Sequence, residues 1–171
     1  MSKKALLASS LLAGLFSTPV SAAEFKVDED VGCYSGPVHL IQHADGYLSG
    51  SFEIVNMRML KYSGNSPVNM PTFFSAHCVG VFTVVNGEPE VNGSCEATDG
   101  SSDRFFGLFH RKGDPKKVEG EFHVIHGTGK FAGMTYDIKY KEIGEIPPPG
   151  MTNTIGGCDR AVGAGNAPGI K

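Results

Sequence analysis

The 171-residue chain has no tryptophan, no Cys-x-x-Cys pair and no excess of positive charge. Each absence removes a class of function. Lys and Arg number 15 against 18 Asp and Glu, a formal charge of −3, so the basic footprint that nucleic-acid binding requires is missing. The densest cationic run, from Lys112 to Lys117, is interrupted by Gly113, Asp114 and Pro115 and reads as a solvated turn. Without Cys-x-x-Cys there is no motif that would lower a thiol pKa for redox exchange. No Gly-x-Ser-x-Gly elbow is present, and no segment shows a clear amphipathic helical period. No apolar run approaches the roughly 20 residues of a membrane-spanning helix.

The first residues are organised. Lys3 and Lys4 precede an apolar run from Ala5 to Phe16, and Val20-Ser21-Ala22 supplies small residues for cleavage. This is the pattern of a secretory signal peptide over residues 1–22, and the expected location is periplasmic or extracellular, in a bacterial host. Cleavage would leave 149 of the 171 residues and remove two of the 15 cationic side chains, for a net charge of −5. That length fits one domain, here placed at residues 23–160. Pro147-Pro148-Pro149-Gly150 ends the last long periodic segment, and the glycine-rich residues beyond it have little to pack. A flexible tail is expected over 161–171.

Between leader and tail, apolar residues recur with period two, the spacing of strands. Phe74, Ala76, Cys78, Gly80, Phe82 and Val84 share one face of a segment from Thr72 to Val85, with Phe73, Val79, Val81 and Val85 on the other. Further strands are expected at Phe25–Tyr34, Tyr47–Tyr62, Glu88–Ala97, Asp103–Arg111, Val118–Ile125 and Lys130–Ile143. In the last, Met134, Tyr136, Ile138 and Tyr140 alternate with Thr135, Asp137, Lys139 and Lys141. Turn signals such as Asp45-Gly46, Asn86-Gly87 and Gly127-Thr128-Gly129 separate the runs. Seven or eight short strands with little helix imply an all-β fold, an antiparallel barrel or sandwich, and closure into a barrel would leave no exposed edge.

Four cysteines in an exported chain imply two disulfides with three connectivities. If Asn86-Gly87 is a two-residue type I′ turn, Val85 faces Glu88, and stepping seven residues back along each strand sets Cys78 opposite Cys95. That site is non-hydrogen-bonded, where the Cα atoms approach to about 4.5 Å, within disulfide range. Val91-Asn92-Gly93-Ser94 repeats the turn pattern and is the competing turn. With Cys78 joined to Cys95, Cys33 pairs with Cys158 by elimination.

The stretch Phe122–Tyr136, "FHVIHGTGKFAGMTY", invites two chemical readings. A phosphate-binding loop would need its lysine followed by Ser or Thr and a helix, whereas Lys130 is followed by Phe131 and a strand pattern. A metal site at His123 and His126 fails if the strand is regular, because an odd separation puts them on opposite faces. His39 and His43 lie in too short a segment for a helix. No metal and no cofactor are therefore expected. Asp103, Arg104, His110, Glu119, Glu121 and His123 are the candidates for a luminal acid/base pair, although outward positions suit all six.

From Cys78 to Tyr140 the order of features, "CVGVFTVVNGEPEVNGSCEATDG" and then an aromatic strand and "EGEFHVIHGTGKFAG", resembles the allene oxide cyclase-like and dirigent-like barrels. In these a Gly-Thr-Gly-aromatic-x-Gly turn joins two late strands. The resemblance implies an antiparallel eight-stranded, calycin-like barrel, homo-dimeric or homo-trimeric, whose lumen takes a small hydrophobic molecule and guides cyclisation or coupling. No catalytic position of that group maps onto this chain.

Overall fold

The computed structural model describes residues 23–145 and 153–170. The signal peptide expected over residues 1–22 and the Pro147–Gly150 run lie outside the described residues. Eight antiparallel strands close into a barrel in sequence order: β1 (Glu24–Ala44), β2 (Tyr47–Ser63), β3 (Phe73–Val85), β4 (Glu88–Thr98), β5 (Phe105–Lys112), β6 (Gly120–Gly127), β7 (Thr135–Glu145) and β8 (Thr154–Asn166). β8 pairs with both β7 and β1, and so forms the closing seam.

The turn at Asn86-Gly87 sets the register of β3 and β4. Both residues adopt positive φ, 52° and 83°, as a type I′ turn demands. Val85 faces Glu88, Val84 faces Pro89, and Cys78 faces Cys95. The disulfides are Cys78–Cys95 and Cys33–Cys158. They differ in setting: Cys78 and Cys95 face the lumen, whereas Cys33 is exposed on the outer wall, bonded across the β1–β8 seam. Two disulfides fit an oxidising compartment. Among the described residues no helix is long and apolar enough to cross a membrane.

Three expectations from sequence are corrected. The tail does not fray at Ala161: β8 runs to Asn166, and Ala167 and Ile170 beyond it are buried. Its glycines suggested slack chain, but Gly157 and Gly165 pair with Tyr34 and Phe25 of β1 and give their rings room. The strand expected from Lys130 starts only at Thr135. Residues Gly129–Phe131 form a 3₁₀ turn, with Gly129 and Gly133 at φ 53° and 72°. The parity argument for His123 and His126 also fails, because a β-bulge leaves Ile125 without a partner on β5. A bulge adds one residue and shifts the alternation, so both histidines lie on the outer face.

One end of the barrel is sealed. Phe131, fully buried, packs edge-on against Phe105 at 5.3 Å and lies 6.0 Å from Phe74. Met70, Met134 and Ile170 complete this floor. Toward the end carrying the β1–β2, β3–β4 and β5–β6 turns, the inward residues Val84, Pro89, Val91, Pro115 and Ile155 are only half-buried.

Candidate functional site

An eight-stranded barrel is just wide enough to be filled by its own side chains or to hold one small ligand. This one keeps a cavity of about 450 Å³, within the usual range for ligand sites. The lumen stays open because its aromatic rings lie flat. Phe52 faces Gly80 across the ladder, Phe82 faces Gly50, Phe109 faces Gly93 and Tyr140 faces Gly120. A Cβ on Gly80 would lie 2.9 Å from Phe52 Cε1, and one on Gly107 would lie 2.6 Å from Phe122 Cε2. Each ring therefore occupies the space that a neighbouring side chain would take, and does not reach toward the barrel axis.

The lining is divided. β3, β4, β5 and β6 contribute apolar groups, among them Phe74, Ala76, Val91, Ala97, Phe109, Phe122 and the Cys78–Cys95 disulfide. Apart from Arg111 near the end of β5, every charged, tyrosyl or amide side chain facing the cavity comes from the contiguous strands β7, β8, β1 and β2.

Two ion-pair groups form this polar strip. Arg58 on β2 donates from Nε to both carboxylate oxygens of Asp30, at 2.9 and 3.0 Å, and from Nη2 to Asp159 Oδ1 at 2.6 Å. Burial opposes the charge on Arg58, but Asp159 and Asp30 outweigh it and raise its pKa. Burial pushes the Asp30 carboxyl up, and Arg58 only partly pulls it back. In the second group, Glu142 Oε1 accepts from Tyr34 Oη at 2.8 Å and from Arg111 Nη1 at 3.1 Å. Burial raises the Glu142 carboxyl above its ordinary value, against the pull of Tyr34 and Arg111. The Tyr140 hydroxyl is pushed up to about 12, chiefly by burial.

Among the described residues, four buried polar atoms of these groups lack a hydrogen-bond partner: Glu142 Oε2, Arg111 Nε, Asn56 Oδ1 and Tyr136 Oη. Glu142, Asn56 and Tyr136 are only 8, 8 and 5% exposed. Buried polar atoms are rarely left unmatched, since each costs about 1–3 kcal/mol.

The residues singled out from sequence lie elsewhere. Arg104 pairs with Glu96 at 2.8 Å, His110 with Glu90 at 3.4 Å, and His123 with Asp137 at 2.6 Å, all exposed. Glu119 and Glu121 are exposed. Asp103 accepts the Lys130 backbone N–H at 3.1 Å and braces the turn at Gly129. His43 bonds Ser49 at 2.7 Å, His39 is exposed, and His126 stacks on Phe106. Among the described residues no group of three or more His, Cys, Asp or Glu could hold a metal.

The luminal residues were accessible to the same period-two reading. Glu142 continues the phase of Tyr136, Ile138 and Tyr140. Arg58 lies between Met57 and Met59, in phase with Phe52, Ile54 and Asn56. Around Arg58 the exposed face of β2 carries Met57 and Met59 and the inner face the arginine, a local reversal of the patterning that Phe52, Ile54 and Leu60 keep. The arrangement can hold a molecule that is apolar on one side and hydrogen-bonding on the other, and Glu142 can hold or accept a proton. Compared with protein-family models, curated proteins and solved structures, the chain matches none.

Proposed function

We propose that this is an exported barrel that binds one small, largely apolar molecule in its lumen, as the resemblance to the allene oxide cyclase-like and dirigent-like barrels implies. The observation that carries the reading is the open lumen. Rings held against the wall by facing glycines leave a cavity of about 450 Å³ in a barrel size that side chains could have filled. An uncharged, environment-sensitive naphthalene dye should gain fluorescence on mixing with the protein. Ala97→Phe, which adds a ring on the apolar side of the lumen, should abolish that gain. A dye that does not bind, or that binds equally well to Ala97→Phe, would refute a luminal site.

A second reading is supported by Glu142. A buried carboxyl with a raised pKa, hydrogen-bonded to Tyr34 and paired with Arg111, is the kind of group that isomerases and cyclases use for general acid/base steps. If the barrel turns over its ligand, molecules recovered from it by native mass spectrometry after incubation with host extract should differ covalently between wild type and Glu142→Gln. Identical molecules in both would leave the barrel a binder without chemistry.

A further inference from the structure

We infer that the lumen selects an amphipath whose polar head is uncharged and both donates and accepts hydrogen bonds, such as an alcohol, and rejects carboxylates. This rests on luminal binding and specifies its ligand. Three carboxylates (Asp30, Asp159 and Glu142) stand against two guanidiniums (Arg58 and Arg111), all lining one cavity. Arg58 is committed on both sides: its Nε serves Asp30, and both Nη atoms reach Asp159, at 2.6 and 3.3 Å. Its positive charge is already shared between two carboxylates.

Arg111 is committed through Nη1 to Glu142. The atoms of that pair enclosed without a partner are one donor, Arg111 Nε, and one acceptor, Glu142 Oε2. Asn56 Oδ1 adds another acceptor, and Tyr136 Oη can serve either way. A hydroxyl head accepts from Arg111 Nε and donates to Glu142 Oε2, and satisfies both. A carboxylate head has only acceptors, so it would face Oε2 as a like charge in a cavity already short of positive charge. An ammonium head eases the shortage of positive charge but has only donors, so it leaves Nε unmatched and stands beside the guanidinium. The tail then lies on the apolar wall of β3 to β6, so head and tail are oriented by the division of the lining itself.

Titration of 1-decanol, decanoate and decylamine into the protein at neutral pH, read by displacement of the uncharged dye, tests this directly. Decanol should bind at least about tenfold more tightly than decanoate, the least that one like-charge contact is worth, and more tightly than decylamine. Glu142→Gln removes the like charge and frees Arg111, so decanoate should gain on decanol in that variant, provided a thermal melt shows it folded. Decanoate or decylamine binding as tightly as decanol to wild type would overturn the inference and leave luminal binding standing, as would an unchanged ratio in folded Glu142→Gln. Failure of the dye and all three probes to bind would overturn both.

Discussion

Gly107→Ala is a small change with a specific structural target. The glycine faces the lumen from β5, and the three atoms nearest to a methyl there all belong to the Phe122 ring, with Cε2 and Cε1 at 2.6 and 2.7 Å. The ring is thus the first obstacle, and it must swing off the wall into the cavity. Overpacking of this kind costs about 1–3 kcal/mol. Replacing a strand-interior glycine returns about 0.5–1 kcal/mol through the unfolded chain. The net loss is then up to about 2.5 kcal/mol, or up to about 10 °C in Tm at 2–4 °C per kcal/mol for a chain of this size. In a Phe122→Ala background the obstacle is gone, and the same alanine should raise Tm by about 1–4 °C. Urea or thermal unfolding followed by far-UV circular dichroism reads both, and dye uptake should fall in the single variant as the ring enters the lumen. Equal losses in the two backgrounds would refute the claim that glycine keeps the rings flat.

The two crosslinks should differ in weight. Cys33 and Cys158 are 125 residues apart and Cys78 and Cys95 are 17 apart. On chain-entropy grounds, paired serine substitutions should cost about 4.7 kcal/mol or slightly more for the seam bond and about 3 kcal/mol for the luminal one; urea unfolding of the two double variants showing the opposite order would refute this. For Glu142, burial raises the folded-state pKa, so its contribution is present below the ordinary carboxyl value and is lost as pH rises through the folded value. Tm of wild type minus that of Glu142→Gln should therefore fall as pH rises above the ordinary carboxyl value of about 4, and a difference that is flat or grows would contradict it. Val55, Met57, Met59 and Phe73 form an exposed apolar stripe on the outer wall of β2 and β3. We expect a second copy to cover it, so sedimentation should give more than one chain, Met59→Glu should restore a monomer, and a monomeric wild type would refute this expectation.

The barrel was largely legible because half-buried strands write their two faces into alternate residues, and because Asn86-Gly87 fixes one hairpin without ambiguity once its φ values are known. β8 was not legible. Its alternation is carried by glycines whose partners are rings on β1 and β7, so the signal is distributed over three strands. The luminal charges escaped for a related reason. Polar residues were assigned outward by default, whereas Asp30, Arg58 and Asp159 neutralise one another inside and leave the outer face of β2 to valine and methionine. His126 shows the limit of counting, since one bulged residue inverts every face beyond it.

The seam disulfide also imposes an order in time. At about 5–20 residues per second of synthesis, the 125 residues between Cys33 and Cys158 keep Cys33 without its partner for about 6–25 s. For the second half of that interval, after Cys95 is made, Cys78 and Cys95 are both present, one hairpin apart and able to find each other locally. Early closure of that hairpin would remove two competing thiols before the last strand arrives, so the tight turn at Asn86-Gly87 protects the pairing of cysteines it never touches. Alkylation of free thiols at intervals during oxidative refolding should find Cys78 and Cys95 protected first; protection of Cys33 ahead of them would contradict this order.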